Sequence, residues 1–117
     1  MHTLRRLDES HAAYHIRLTV TAEHVARLLH SVEFLCTRFR PESIQVEPVY
    51  LLGRAAAERS AETDEFVEAF RAAGLHAADH GTRVIFSGAR LGTLTNHFCS
   101  VSQDGFCLSA RGAVTAC

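Results

Sequence analysis

Four cysteines stand at Cys36, Cys99, Cys107 and Cys117, and three of them fall in the last nineteen residues, CSVSQDGFCLSARGAVTAC. Soft thiolates brought close in space select zinc or iron–sulfur clusters. Cys99 is followed by twelve residues, then Gly112, then four residues and Cys117, with Cys107 between them. A glycine-turned hairpin brings such thiols near one another, so Cys99, Cys107 and Cys117 are the candidate metal ligands. Three ligands are one short of a closed tetrahedral zinc site or a fully ligated cluster. The fourth would come from a segment outside the chain, from His97, or from an exogenous molecule. Cys36 lies in an apolar helical pattern and reads as a buried structural thiol.

The remaining chemistry-bearing groups are charged pairs and histidines. Arg17 and Glu47 sit at polar positions of two predicted strands. They suit an ion pair across a sheet, or the holding of a carboxylate and an ammonium group. Gly53 and Arg54 follow the second strand as a loop. Histidines recur four apart at His11 and His15 and at His76 and His80. Four-residue spacing shares a helix face only in a helix, and His15 begins a strand. The second pair has no HExxH-type partner set and reads as surface histidines. Asp104-Gly105 reads as a turn.

The elements that position these groups follow from periodicity. Residues 1–9 suggest a weak helix. Residues 15–21, HIRLTVT, alternate strictly: Ile16, Leu18 and Val20 point one way, Arg17, Thr19 and Thr21 the other, as in a half-buried strand. Thr21 is a candidate N-cap, with Glu23 in the first turn of a helix over 22–39. That helix carries Val25, Leu28, Leu29, Val32, Leu35, Cys36 and Phe39 in steps of three and four and is closed by Pro41. Residues 43–49 form a second alternating strand. A helix capped by Thr63 or Asp64, with Val67 and Phe70 on its apolar side, runs to about Gly74 or His80. Residues 83–86 suggest a short strand, the segment SGARLGTLTNHF a loop, and residues 105–109 and 113–116 a hairpin turning at Gly112.

The order is βαβα and then a cysteine-bearing hairpin, an α/β chain with a parallel sheet. Parallel strands covered on both faces are near-continuous apolar runs. These two strands instead keep a polar face, with Arg17, Thr19, Gln45 and Glu47 on one side. That suits the lumen of a partial β/α barrel holding a polar ligand, or a face open to solvent.

Composition excludes several classes. An apolar fraction of 47% with 21% charged residues is that of a folded domain, not a disordered chain. A formal net charge of −1 leaves no electrostatic footprint for nonspecific nucleic-acid binding. No apolar run approaches the ~20 residues of a membrane span, and the start MHTLRRLDES lacks a signal-peptide core. The expected compartment is the cytoplasm, where thiols stay reduced. The 117 residues amount to one small domain or a piece of a larger one, and an end on a clustered cysteine reads as a piece.

The cysteine spacing C-x12-G-x4-C resembles the opening of the SPASM domain, the cysteine-rich extension of radical S-adenosylmethionine enzymes. Upstream, HIRLTVTAEHV resembles a strand–helix junction in the second half of a radical SAM barrel, and IQVEPVYLLGRA the next strand with its Gly-Arg loop. The stretch VIFSGARLGTLTNHFCSVSQDGFCLSARGAVTAC resembles the bridge into the SPASM region. The resemblance covers most of the chain in order. It implies residues 1–82 as the C-terminal part of the barrel and 83–117 as the start of a SPASM-like domain. It further implies an oxidoreductase that modifies a peptide or protein, with S-adenosylmethionine and an auxiliary [4Fe–4S] cluster as cofactors. Cys99 and Cys117 map onto the first two cluster ligands and Cys107 onto a cysteine some members add. Arg17, Glu47, Gly53 and Arg54 map onto cofactor-facing strand ends. The motif C-x3-C-x2-C, which holds the radical-generating cluster in that family, is absent, and later SPASM cysteines would follow Cys117. The resemblance therefore implies a fragment, inactive alone. The alternative is a non-enzymatic α/β partner-binding module, stabilised by zinc through Cys99, Cys107, Cys117 and His97.

Overall fold

The computed structural model describes residues 2–51, 55–86 and 107–115. Helix α1 spans His2–Glu9 and strand β1 spans His15–Val20. A 3-10 turn over Val25–Arg27 leads into helix α2, Leu28–Arg38. Strand β2 covers Ser43–Pro48, helix α3 Thr63–Asp79 and strand β3 Arg83–Ile85. Strands β4 (Cys107–Leu108) and β5 (Val114–Thr115) form a separate hairpin.

The sheet is parallel and ordered β1-β2-β3, so strands adjacent in sequence are adjacent in space. Its apolar face carries Ile16, Leu18 and Val20 from β1 and Ile44 and Val46 from β2. Helices α2 and α3 both close on that face, through Leu28, Val32, Leu35 and Cys36 and through Phe66, Ala73 and Ala77. Among these, Val32, Ile44, Val46, Ala73 and Ala77 have no exposed surface. The alternation read in the two strands thus sets the sheet's orientation.

The helices differ from expectation in detail. Helix α2 begins later than the apolar pattern suggests. After β1, Thr21 O accepts N–H bonds from His24 and Val25 at 3.0 and 3.1 Å, and the Thr21 hydroxyl lies 2.7 Å from His24 Nδ1. That hydroxyl is occupied by the ring, so it caps nothing, and the first turn tightens to 3-10 form. At the other end Phe39 is extended, φ −142° and ψ 168°, two residues before Pro41. Pro41 disfavours helical geometry at Arg40, the residue before it, so the helix has no continuation beyond Phe39.

Helix α3 buries Phe66, Ala73 and Ala77, whereas Val67 is 47% exposed. The expectation that Val67 faces inward is corrected: the inward stripe is 66, 70, 73 and 77. Small alanines at its C-terminal half let the helix sit close on the sheet. Phe66, Phe70 and Phe86 pack as an aromatic trio with centroids 5.8–6.5 Å apart. The helix passes through Gly74 and has no side-chain cap at its start, where Glu62 precedes Thr63. It ends at Gly81, φ 72°, with Gly81 N–H on Ala78 O and Thr82 N–H on Ala77 O. This pair of bonds is the Schellman motif, and its left-handed residue favours glycine.

Helix α1 is tied down by Asp8. Its Oδ1 accepts from the Tyr14 hydroxyl at 2.7 Å and from Arg40 N–H at 3.1 Å. Leu4 adds a partly buried contact with the core. Among the described residues, no helix is long and apolar enough to cross a membrane.

Candidate functional site

The second face of the sheet gathers the polar side chains. The register pairs His15 with Ser43, Arg17 with Gln45 and Thr19 with Glu47. All six therefore lie on the side opposite the helices, as alternation requires.

Exposure across this face is uneven, and that decides its character. On the edge strand β1, Arg17 is open, with 65% of its side chain exposed. On the central strand β2, Glu47 keeps only 4%. Ser43 is buried as well, and Gln45 is half-buried. The face is not a uniformly wet surface. A carboxylate withdrawn from water needs donors around it, and Glu47 has them. Arg17 Nη2 reaches diagonally across the strands to within 3.5 Å of Glu47 Oε2. Gln45 Nε2, two residues back on the same strand, donates to Glu47 Oε1. The arrangement holds a guanidinium at the surface above a buried carboxylate, so the exposed arginine is both oriented and available to an anion.

Position along the strands matters too. Glu47 is the fifth of six residues in β2, near the C-terminal end. In β/α folds ligands bind beyond those ends. At the opposite end His15 Nδ1 lies 2.9 Å from Ser43 Oγ, and His15 Nε2 lies 3.7 Å from Glu42 Oε2. A cleft of about 240 Å³ lined by Asp8, His11, Ala12, Ala13, Arg40 and Glu42 adjoins that N-terminal end. Gln45 and His15 were not candidate site residues by type alone. The period-two alternation places both on the polar face, and the register with β1 makes them partners.

Of the three candidate metal ligands, Cys107 lies in β4, paired in register with Thr115. Its thiol is free and exposed. The hairpin turns as the glycine predicts: Gly112 has φ 78°, and its N–H donates to Ser109 O at 2.9 Å. Ser109 Oγ accepts from Ala113 N–H at 3.0 Å and closes the loop. Cys99, Cys117, Gly53, Arg54, His97 and Asp104 lie outside the described residues, as does the predicted loop SGARLGTLTNHF. Among the described residues, no group of three or more His, Cys, Asp or Glu comes together to hold a metal ion. Cys36, by contrast, is buried on α2, and burial pushes its thiol pKa up, against a smaller lowering by its hydrogen bond with Thr82.

Compared with protein-family models, curated proteins and solved structures, the chain matches none.

Proposed function

We propose that residues 1–82 are a run of strands and helices from the barrel of a radical S-adenosylmethionine enzyme. Residues 83–117 then begin its auxiliary-cluster region. The observation that carries this reading is the two-sided sheet. Three sequential parallel strands have both crossover helices on one face. A guanidinium–carboxylate pair lies on the other. A singly wound barrel has this arrangement, with helices outside and polar groups in the lumen. One half of a doubly wound sheet is wound in the same way, but there the helices of the other half cover the second face, and here that face carries polar side chains.

The donor set fits one end of the cofactor. The methionyl end of S-adenosylmethionine carries a carboxylate and an ammonium group. Arg17, open and braced by Glu47, would receive the carboxylate. When bound with its cluster, that cofactor supplies the radical that starts the reaction. Gly53 and Arg54, which follow β2 in the sequence, would line the same end. The exposed Cys107 has the accessibility that a cluster ligand needs, and with Cys99 and Cys117 it would hold an auxiliary [4Fe–4S] cluster. The substrate class is a peptide or protein, and the compartment is the reducing cytoplasm.

The C-x3-C-x2-C motif is absent from the 117 residues, so radical chemistry would need it from elsewhere in the enzyme. The DNA flanking the reading frame tests this. An in-frame C-x3-C-x2-C upstream and C-x2-C-x5-C-x3-C downstream would support it. Stop codons on both sides with neither motif would contradict it and favour a partner-binding module.

A further inference from the structure

We propose that His76 and His80 form a two-histidine site for a borderline divalent cation, of the zinc, nickel and copper class, at the C-terminal end of α3. The helix runs to Asp79 and His80 is the residue that ends it, so the four-residue spacing places both rings on one face. Their centroids lie 4.9 Å apart with the planes tilted by 43°. Two imidazoles bound to one metal at about 2.0–2.1 Å, near the tetrahedral angle, hold their centroids about 5 Å apart. The rings are spaced as a chelate would space them.

A second observation concerns the nitrogen itself. His76 Nε2 is shielded from water and has no hydrogen-bond partner among the described residues. A buried polar nitrogen left unpaired costs free energy, and a cation coordinated there would remove that cost. The backbone holds both residues in place. Ala73 and Ala77 are fully buried and fix the rotation of the helix. The bonds from Gly81 and Thr82 to Ala78 and Ala77 hold the final turn against fraying.

Imidazole pairs suit late first-row divalent ions, whereas calcium and magnesium take oxygen ligands. Two protein ligands leave the other positions to water, so the His76 ring turns its Nε2 out of the shielded position as the ion binds. A bound ion would clamp the last turn of α3 and add stability by linkage, since it binds only the folded spacing. The site shares no residue with the cysteine region.

Nickel titrated into the isotopically labelled 117-residue chain, followed by NMR, tests the site. At one equivalent, paramagnetic broadening should centre on the His76 and His80 rings and the amides of 75–82. His80→Ala, and His80→Gln as the gentler variant, should each weaken nickel binding about tenfold or more, because the chelate becomes a single ligand. Broadening centred on other histidines or on the cysteines would overturn the proposal. So would binding that both variants leave unchanged.

Discussion

In the parallel sheet, Ile44 and Val46 are fully buried beneath two helices. In the hairpin, Leu108 and Val114 face each other across the strands with 65% and 68% of their surface exposed. The same kinds of side chain serve two purposes. In the sheet they exclude water and fix a register, and that register aims Arg17 at Glu47. In the hairpin, among the described residues, backbone bonds, the Ser109 hydroxyl and a glycine turn set the geometry, and the thiol of Cys107 stays open. The body supplies a fixed register and the hairpin an exposed thiol.

Substitutions should break this contrast in a definite order. Ile44→Ala removes a fully buried side chain from the centre of the core. It should cost about 2–5 kcal/mol in urea unfolding. Glu47→Ala comes next, at about 1–3 kcal/mol, because it strips half-buried Gln45 of an acceptor and empties a buried position of the central strand. Arg17→Ala should cost less, about 1 kcal/mol, because that side chain is mostly in water and Gln45 still donates to the Glu47 carboxylate it leaves behind. If Arg17→Ala proved as costly as Glu47→Ala, the arginine would be structural rather than available to a ligand. Leu108→Ala should change stability by no more than about 0.5 kcal/mol, since most of its surface is exposed. In the same sample, a thiol-alkylating reagent should modify Cys107 in the native protein and reach Cys36 only on unfolding.

The foot of the sheet gives a pH test. Burial, and then the hydrogen bond to Asp8, push the Tyr14 hydroxyl up to about 12. Its ordinary value is about 10, so the folded state holds the proton more tightly. That contribution is fully present below pH ~10 and is lost as pH rises toward ~12. Stability should fall across that window, and Tyr14→Phe should flatten the Tyr14 share of the fall. A wild-type curve unchanged by Tyr14→Phe would mean that α1 is not anchored through this hydroxyl.

Much of this architecture was legible in the sequence. Strict alternation in 15–21 and 43–49 identified both strands and placed Arg17 and Glu47 on one face. Gly112 and its flanks identified the hairpin. What could not be read depended on neighbours distant in sequence. Alternation says that Glu47 is polar-facing, but its burial comes from its place in the central strand beneath Arg17. Val67 and Phe66 are adjacent apolar residues, and the sheet's preference for the Phe66–Ala73–Ala77 stripe chose between them. Thr21 has the right type for an N-cap, yet His24, three residues on, claims its hydroxyl. His76 and His80 became neighbours only because α3 continues through Gly74, where helix propensity alone favoured a stop.

The most direct test of the central claim is iron binding by the protein translated from the whole reading frame. After anaerobic reconstitution with iron and sulfide, a brown protein with the broad visible absorption of iron–sulfur clusters is expected. Cys99→Ala or Cys117→Ala should each lower its iron content. An iron content that neither substitution changes would contradict the assignment of this chain to an auxiliary-cluster enzyme.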